Sequence, residues 1–120
     1  MPNTSHLIQS LALLAALAVP AVTLAHHGWS GYDSNTPLKV TGTIGEAGYE
    51  HPHGYVKLVA PGKTWLVVLA PPSRMENRGL PPSALKPGTS AQVEGYPNRP
   101  DAHEMRAERI TIDGKTVELR

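Results

Sequence analysis

Short stretches of alternating apolar and polar residues, separated by tight-turn sequences, determine what this chain can fold into. In the first stretch, Leu38, Val40 and Ile44 alternate with polar residues, which is the period of a strand with one buried face. The 120 residues include 11 Gly, 12 Pro and no Phe. This composition favours many short elements joined by turns over a helical bundle, so the chain is predicted to be mainly β.

Six strands follow from the pattern. We predict them near residues 38–44, 55–58, 64–69, 91–96, 105–112 and 116–119. Gly42 is expected to bend or bulge the first strand. Pro61-Gly62 should join the second and third strands into a hairpin, and Asp113-Gly114 should join the last two.

The fifth predicted strand changes its inward and outward pattern along its length. Met105 and Ala107 lie out of phase with Ile110 and Ile112. Because side chains alternate strictly between the two faces of a strand, we expect a bulge or sharp bend within it.

Between the third and fourth strands the sequence predicts one short helix. Ser73 and Glu76 have the spacing of a capping box, and Gly79 is placed to end the helix. Three strands, a helix and two strands is the order of a small five-stranded barrel of the oligonucleotide/oligosaccharide-binding (OB) type, here with a sixth strand. An up-and-down six-stranded barrel or a small sandwich would give nearly the same pattern, because periodicity does not report strand pairing.

An apolar run precedes the β pattern. It extends from Leu7 to Val19 and is shorter than the roughly 20 residues that a membrane-spanning helix needs. Pro20 ends it, and Thr23 and Ala25 place small residues where a signal peptidase reads the chain. We therefore expect a signal peptide that is cleaved after Ala25, and a periplasmic or secreted protein without a stable membrane anchor after processing.

The expected organisation is a signal peptide at residues 1–25 and a single domain at residues 26–120, with an N-terminal arm at residues 26–37. The net charge is +1 and both signs are interspersed, which argues against binding to nucleic acid. With no cysteine the domain has neither disulfides nor a lipid-modified cysteine.

Histidines are the residues that suggest a specific chemistry. Cleavage after Ala25 would leave a free amine on His26, which can chelate a metal through that amine and its ring nitrogen, with His27 beside it. The loop between the first two strands contains His51 and His53, and the loop between the fourth and fifth contains His103. Because these two loops border one face of an OB barrel, the five histidines are predicted to form a transition-metal site, with copper the first candidate.

Other interpretations stay open. His51-Pro52-His53 is also a plausible turn, and His26 and His27 are also compatible with a loose terminus. The alternative to a metal site is an aromatic surface that binds a protein, peptide or glycan without metal. Its residues would be Trp29, Tyr32, Tyr49, Trp65 and Tyr96. The carboxylates show no acid-base spacing and no phosphate-binding loop is present, so we expect no enzyme.

Several short motifs resemble a bacterial family of exported small domains of unknown function. They are Ala25-His26-His27-Gly28-Trp29-Ser30, Pro52-His53 before a strand, Lys63-Thr64-Trp65, Leu85-Lys86-Pro87-Gly88 and Gly95-Tyr96-Pro97. The family pattern opens with Ala-His-His-Ser and has a central Asn-Pro-His, whereas this chain has Gly28 and His51 at the departing positions. The resemblance implies export and a single small domain, matches His53 better than His51, and implies no mechanism.

Overall fold

Six β-strands and one short α-helix make up the part of the chain that the computed structural model describes, residues 28–120. The strands are β1 (Leu38–Gly48), β2 (Tyr55–Ala60), β3 (Lys63–Val68), β4 (Ser90–Pro97), β5 (Glu104–Ile112) and β6 (Lys115–Glu118). The helix is α1 (Pro72–Asn77), and a 3-10 turn follows at Pro82–Leu85. All six predicted strands and the predicted helix are therefore present.

Strand pairing closes five of the strands into a barrel. The order β3-β2-β1-β4-β5 is antiparallel throughout, and a parallel contact between β3 and β5 closes it. An up-and-down barrel would have only antiparallel neighbours, so this closure distinguishes the OB-type arrangement from that alternative. The sixth strand pairs with the outer edge of β5.

Two hairpin turns have the backbone that their sequences predict. Gly62 has a φ of 80° between β2 and β3. Asp113 and Gly114 have φ values of 52° and 76° between β5 and β6. Asp113-Gly114 thus has positive φ at both central residues, which is the two-residue turn that matches the twist of a hairpin, whereas only the glycine of Pro61-Gly62 has positive φ.

A bulge lies in β5, as predicted, and another lies in β1. Glu94 of β4 pairs with Arg109 while Gly95 pairs with Ala107, so Glu108 is the extra residue of β5. In β1 the extra residue is Gly45. The bulge expected at Gly42 was therefore assigned to the wrong glycine; a Cβ at Gly42 would collide with the backbone carbonyl of Val59 on the adjacent strand.

The start of α1 differs from the expected capping box. Pro71 is the N-cap, and no side chain caps the first turn. The helix begins at Pro72, so Ser73, the expected cap, lies within its first turn. Proline suits the first position of a helix because it lacks the N–H that would otherwise need a partner. The helix ends as expected, with Gly79 at a φ of 87° just after its C-cap.

The core fills the barrel and extends beneath α1 and the 3-10 turn. Its fully buried side chains include one residue from α1, Met75, and one from the turn, Leu85. The largest others are Ile44, Leu58, Leu69, Met105, Ile110 and Leu119. Within residues 28–120, no helix has the length and apolar character needed to cross a membrane.

Candidate functional site

Two loops border one face of the barrel, formed by β2 and β3. Residues 49–54 connect β1 to β2, and residues 98–103 connect β4 to β5. The second loop is tied to β3 by a 2.8 Å hydrogen bond from the Leu66 N–H to the His103 carbonyl. The first is tied to the residues that follow β3 by hydrogen bonds in both directions at Gly54.

A cleft of about 440 Å³ lies on this face. Its floor comes from β2 and β3, and its ends come from the β1–β2 loop, the start of β5 and the N-terminal arm. The cleft residues are Tyr32, Glu46, Pro52, His53, Gly54, Tyr55, Lys57, Leu66, Val68 and Glu104. Small-ligand sites in proteins have this size and occur at the mouths of barrels.

Arg106 connects the N-terminal arm to His53. Its side chain is only 4% exposed. One terminal nitrogen, Nη1, donates to the Gly28 carbonyl at 3.0 Å, and the other, Nη2, lies 3.2 Å from His53 Nε2. Because a guanidinium has no acceptor, the His53 Nε2 accepts this bond. The start of the described chain therefore lies beside the half-buried ring of His53.

The described part of the arm is held against the barrel by stacking. The guanidinium of Arg106 lies 4.4 Å from the centre of the Trp29 ring, and that of Arg120 lies 4.6 Å from it. The rings of Tyr32 and Tyr96 pack against the same indole in T-shaped arrangements. Cation–π contacts of this kind stabilise by roughly 0.5–2 kcal/mol each, depending on desolvation.

Backbone hydrogen bonds hold the arm as well. The Asp33 N–H donates to the Pro97 carbonyl and the Arg99 N–H donates to the Gly31 carbonyl, both at 2.9 Å. Tyr32 forms an isolated β-bridge with Asn98. The arm therefore follows a fixed path from Gly28 to the cleft.

Two tyrosine–carboxylate pairs flank the cleft. The buried Tyr32 hydroxyl donates to Glu104 Oε2 at 2.5 Å, and the Tyr55 hydroxyl donates to Glu46 Oε2 at 2.8 Å. Lys57 lies 3.5 Å from the other oxygen of Glu46. The hydrogen bond from Tyr55, followed by the charge of Lys57, lowers the pKa of Glu46, so this carboxylate is an anion at neutral pH.

The predicted metal ligands occupy different surroundings. His53 borders the cleft and is half-buried, whereas His51 is exposed. The His103 side chain is 76% exposed and lies beside Asp101 of its own loop, with 3.8 Å between its Nδ1 and the carboxylate. His26 and His27 lie outside the described residues. Among residues 28–120, no three His, Asp or Glu side chains are grouped closely enough to hold a metal ion, so the five-histidine site stays a prediction.

Sequence reasoning missed Arg106, Glu104 and Glu46 as site residues. Arg106 is in a strand between two buried apolar residues, and strand alternation alone assigns it to the solvent side. The two glutamates have no sequence spacing that marks them, because they reach the cleft from β1 and β5, which are not adjacent in the barrel. The only available signal was the OB topology, which brings the start of β5 to the β2–β3 face.

Raising the pH above about 10 should destabilise the fold. Burial raises the pKa of Tyr32, and the hydrogen bond to Glu104 raises it further. The pKa values of the other tyrosines, Tyr49, Tyr55 and Tyr96, are also raised. The tyrosines of the unfolded chain therefore release their protons at lower pH than those of the native protein. The stability that the protonated tyrosines contribute is complete below the pKa of an unfolded tyrosine and is lost as the pH rises above it.

Denaturant unfolding at about pH 8 and about pH 11 would measure this loss. Tyr32→Phe should show a smaller decline between the two pH values than the unsubstituted protein, even though it begins less stable. An equal decline in both proteins would show that Tyr32 does not contribute.

Comparison with known proteins gives a family but no activity. No curated protein matches the chain. A solved structure described as a crystal structure of TiaS in complex with an isoleucine tRNA and ATP is 16% identical, with a TM-score of 0.48; the alignment covers 74% of this chain and 20% of that one. This chain therefore spans about a fifth of that protein's length. Residues 12–106 match the family of unknown function DUF6152, and the chain belongs to that family.

Proposed function

We propose that this protein is exported and that it binds one transition-metal ion, copper being the first candidate, through His26, His27 and His53. The observation that carries the proposal is that Arg106 holds Gly28 beside His53. Its carbonyl and the ring of His53 are held by the two terminal nitrogens of one buried guanidinium, that of Arg106. Consecutive Cα atoms are about 3.8 Å apart, so the paired histidines are attached directly to a residue that is fixed beside His53.

The donor set is suited to copper. Removal of residues 1–25 would give His26 a free amine, which together with its own ring nitrogen forms a chelate. The rings of His27 and His53 would add two more nitrogen ligands, and copper prefers such nitrogen-rich sites. His51 or His103 would complete the site.

A metal ion that binds His53 must compete with the contact to Arg106 and with protons. An ion that takes Nε2 must replace the guanidinium there, and an ion that takes Nδ1 must displace the proton that this nitrogen carries when Nε2 accepts a hydrogen bond. Protonation of the histidines and of the amine competes with the metal in both cases, so the affinity should fall as the pH is lowered.

Cupric-ion titration of the exported protein, in competition with a chelator of known affinity, tests the proposal. His53→Ala, and separately one glycine added before His26, should each weaken binding by at least about tenfold. His51→Ala and His103→Ala show which of these two loop histidines completes the site, and each should weaken binding less than His53→Ala does. Unchanged affinity in both His53→Ala and the extended protein would contradict the site.

A second candidate function is recognition of a protein, peptide or glycan without metal. The cleft favours it, because this face of an OB barrel is the one that binds extended ligands. Partner binding that survives a chelator and the substitution His53→Ala would support this candidate over the first.

A further inference from the structure

We infer that the cleft is a docking site for an extended peptide segment that presents one lysine or arginine side chain between apolar side chains. This inference rests on the second candidate function and requires no metal. It is carried by three features of the β2–β3 face: two fixed carboxylates, an apolar floor, and an exposed apolar residue along the same strand face.

The carboxylates are oriented as acceptors for a cation. The hydroxyl of Tyr32 holds Glu104 at the β5 side, and that of Tyr55 holds Glu46 at the β1 side. A side-chain ammonium or guanidinium placed in the cleft would meet negative charge from both sides, and hydrogen bonds between ionised groups are stronger than neutral ones.

Lys57 does not block such a cation. Its ion pair with Glu46 is 3.5 Å long, and both side chains are 51% exposed. Exposed pairs of this kind contribute little to stability because solvent screens them, so a bound lysine or arginine can replace Lys57 at little cost.

The apolar floor of the cleft and the exposed Val59 next to it favour a peptide as the ligand. Leu66 and Val68 provide apolar floor from β3. Val59, which is 50% exposed, lies on the same outward face of β2 as Lys57 and Tyr55. Alternate residues of a strand are about 7 Å apart, and an extended peptide lying along β2 has the same repeat. A basic side chain in the cleft would therefore bring an apolar side chain two positions away over Val59.

The same charges disfavour a nucleic acid. Phosphates approaching this face would meet Glu46 and Glu104, and Lys57 is the only exposed cation among the cleft residues within the described part of the chain. Nucleic-acid surfaces instead combine aromatic platforms with several lysines and arginines.

Titration of the isotope-labelled exported protein, in EDTA, with the probe peptide acetyl-Val-Ser-Arg-Ser-Val-amide tests the inference. Amide resonances of the cleft and of Val59 should shift in a saturable way. Glu46→Gln and Val59→Ser should each raise the dissociation constant of the peptide by about three- to fivefold. Glu94→Gln is the matched control, because Glu94 lies on β4 and pairs with Arg109, and it should leave binding unchanged. Both test positions are exposed, so neither substitution should unfold the protein.

A peptide with glutamate in place of arginine and a neutral oligosaccharide separate the remaining outcomes. Equal binding of the glutamate peptide, or cleft binding of the oligosaccharide alone, would overturn the inference and leave the second candidate function standing. An affinity for the arginine peptide that neither Glu46→Gln nor Val59→Ser changes would also overturn the inference. If no probe shifts a cleft resonance, the inference and the second candidate function both fail.

Discussion

Leu58→Ala should lower the free energy of unfolding by about 2–5 kcal/mol. Leu58 is fully buried on the inward face of β2, where it pairs with Ile44 of β1 and Trp65 of β3. Removing its terminal carbons loses their burial and leaves a cavity that the surrounding strands can only partly close. Chemical denaturation followed by circular dichroism measures the change.

Val59→Ala is the matched control for that substitution. Val59 is the next residue on the same strand, but it points outward and is 50% exposed. Its truncation should change the stability by about 0.5 kcal/mol or less. Comparable losses at the two positions would show that the strand does not alternate as described.

Arg106→Met should lower the free energy of unfolding by about 2–4 kcal/mol. It removes the hydrogen bonds that the charged guanidinium donates to Gly28 and His53, and the cation–π contact with Trp29. These two acceptors, the Gly28 carbonyl and His53 Nε2, are neutral. Replacing a buried ion pair with apolar side chains is often harmless, but a methionine here leaves two acceptors without this donor. Burial lowers the pKa of Arg106, and that desolvation cost offsets only part of the loss.

Chemical denaturation measures the stability of this variant, and hydrogen exchange measures how well the amides of the N-terminal arm are protected. The Tyr32 and Asp33 amides, which bond to the Trp29 and Pro97 carbonyls, should lose protection before the core strands do. Arg109→Met is the control on the same strand, since the ion pairs of Arg109 are part-exposed and such pairs contribute little to stability. Unchanged protection of the arm in Arg106→Met would refute the role assigned to Arg106.

The strands could be predicted because apolar and polar residues alternate along each of them, as a strand with one buried face requires. Leu58 and Val59 have neighbouring positions and opposite environments, and the parity change around Glu108 indicated a real bulge. The parallel contact of β3 with β5 could not be predicted from local pattern, since it depends on closure of the whole barrel. The capping box failed because Pro72 took the start of the helix.

The candidate site was only partly predictable for a similar reason. His53 could be placed from its motif and from the loop that follows the first strand. Arg106 could not, because its partner Gly28 is 78 positions away in sequence. Alternation assigns Arg106 to the solvent face of β5, and only the arm folding over that face turns it into a buried side chain.

Mass spectrometry of the protein purified after export, from cells supplied with copper, tests the central claim most directly. Under denaturing conditions the proposal predicts a chain that begins at His26, and under native conditions one bound copper ion that is lost from His53→Ala. A chain that begins at any other residue, or a protein that holds no metal when it does begin at His26, would contradict it.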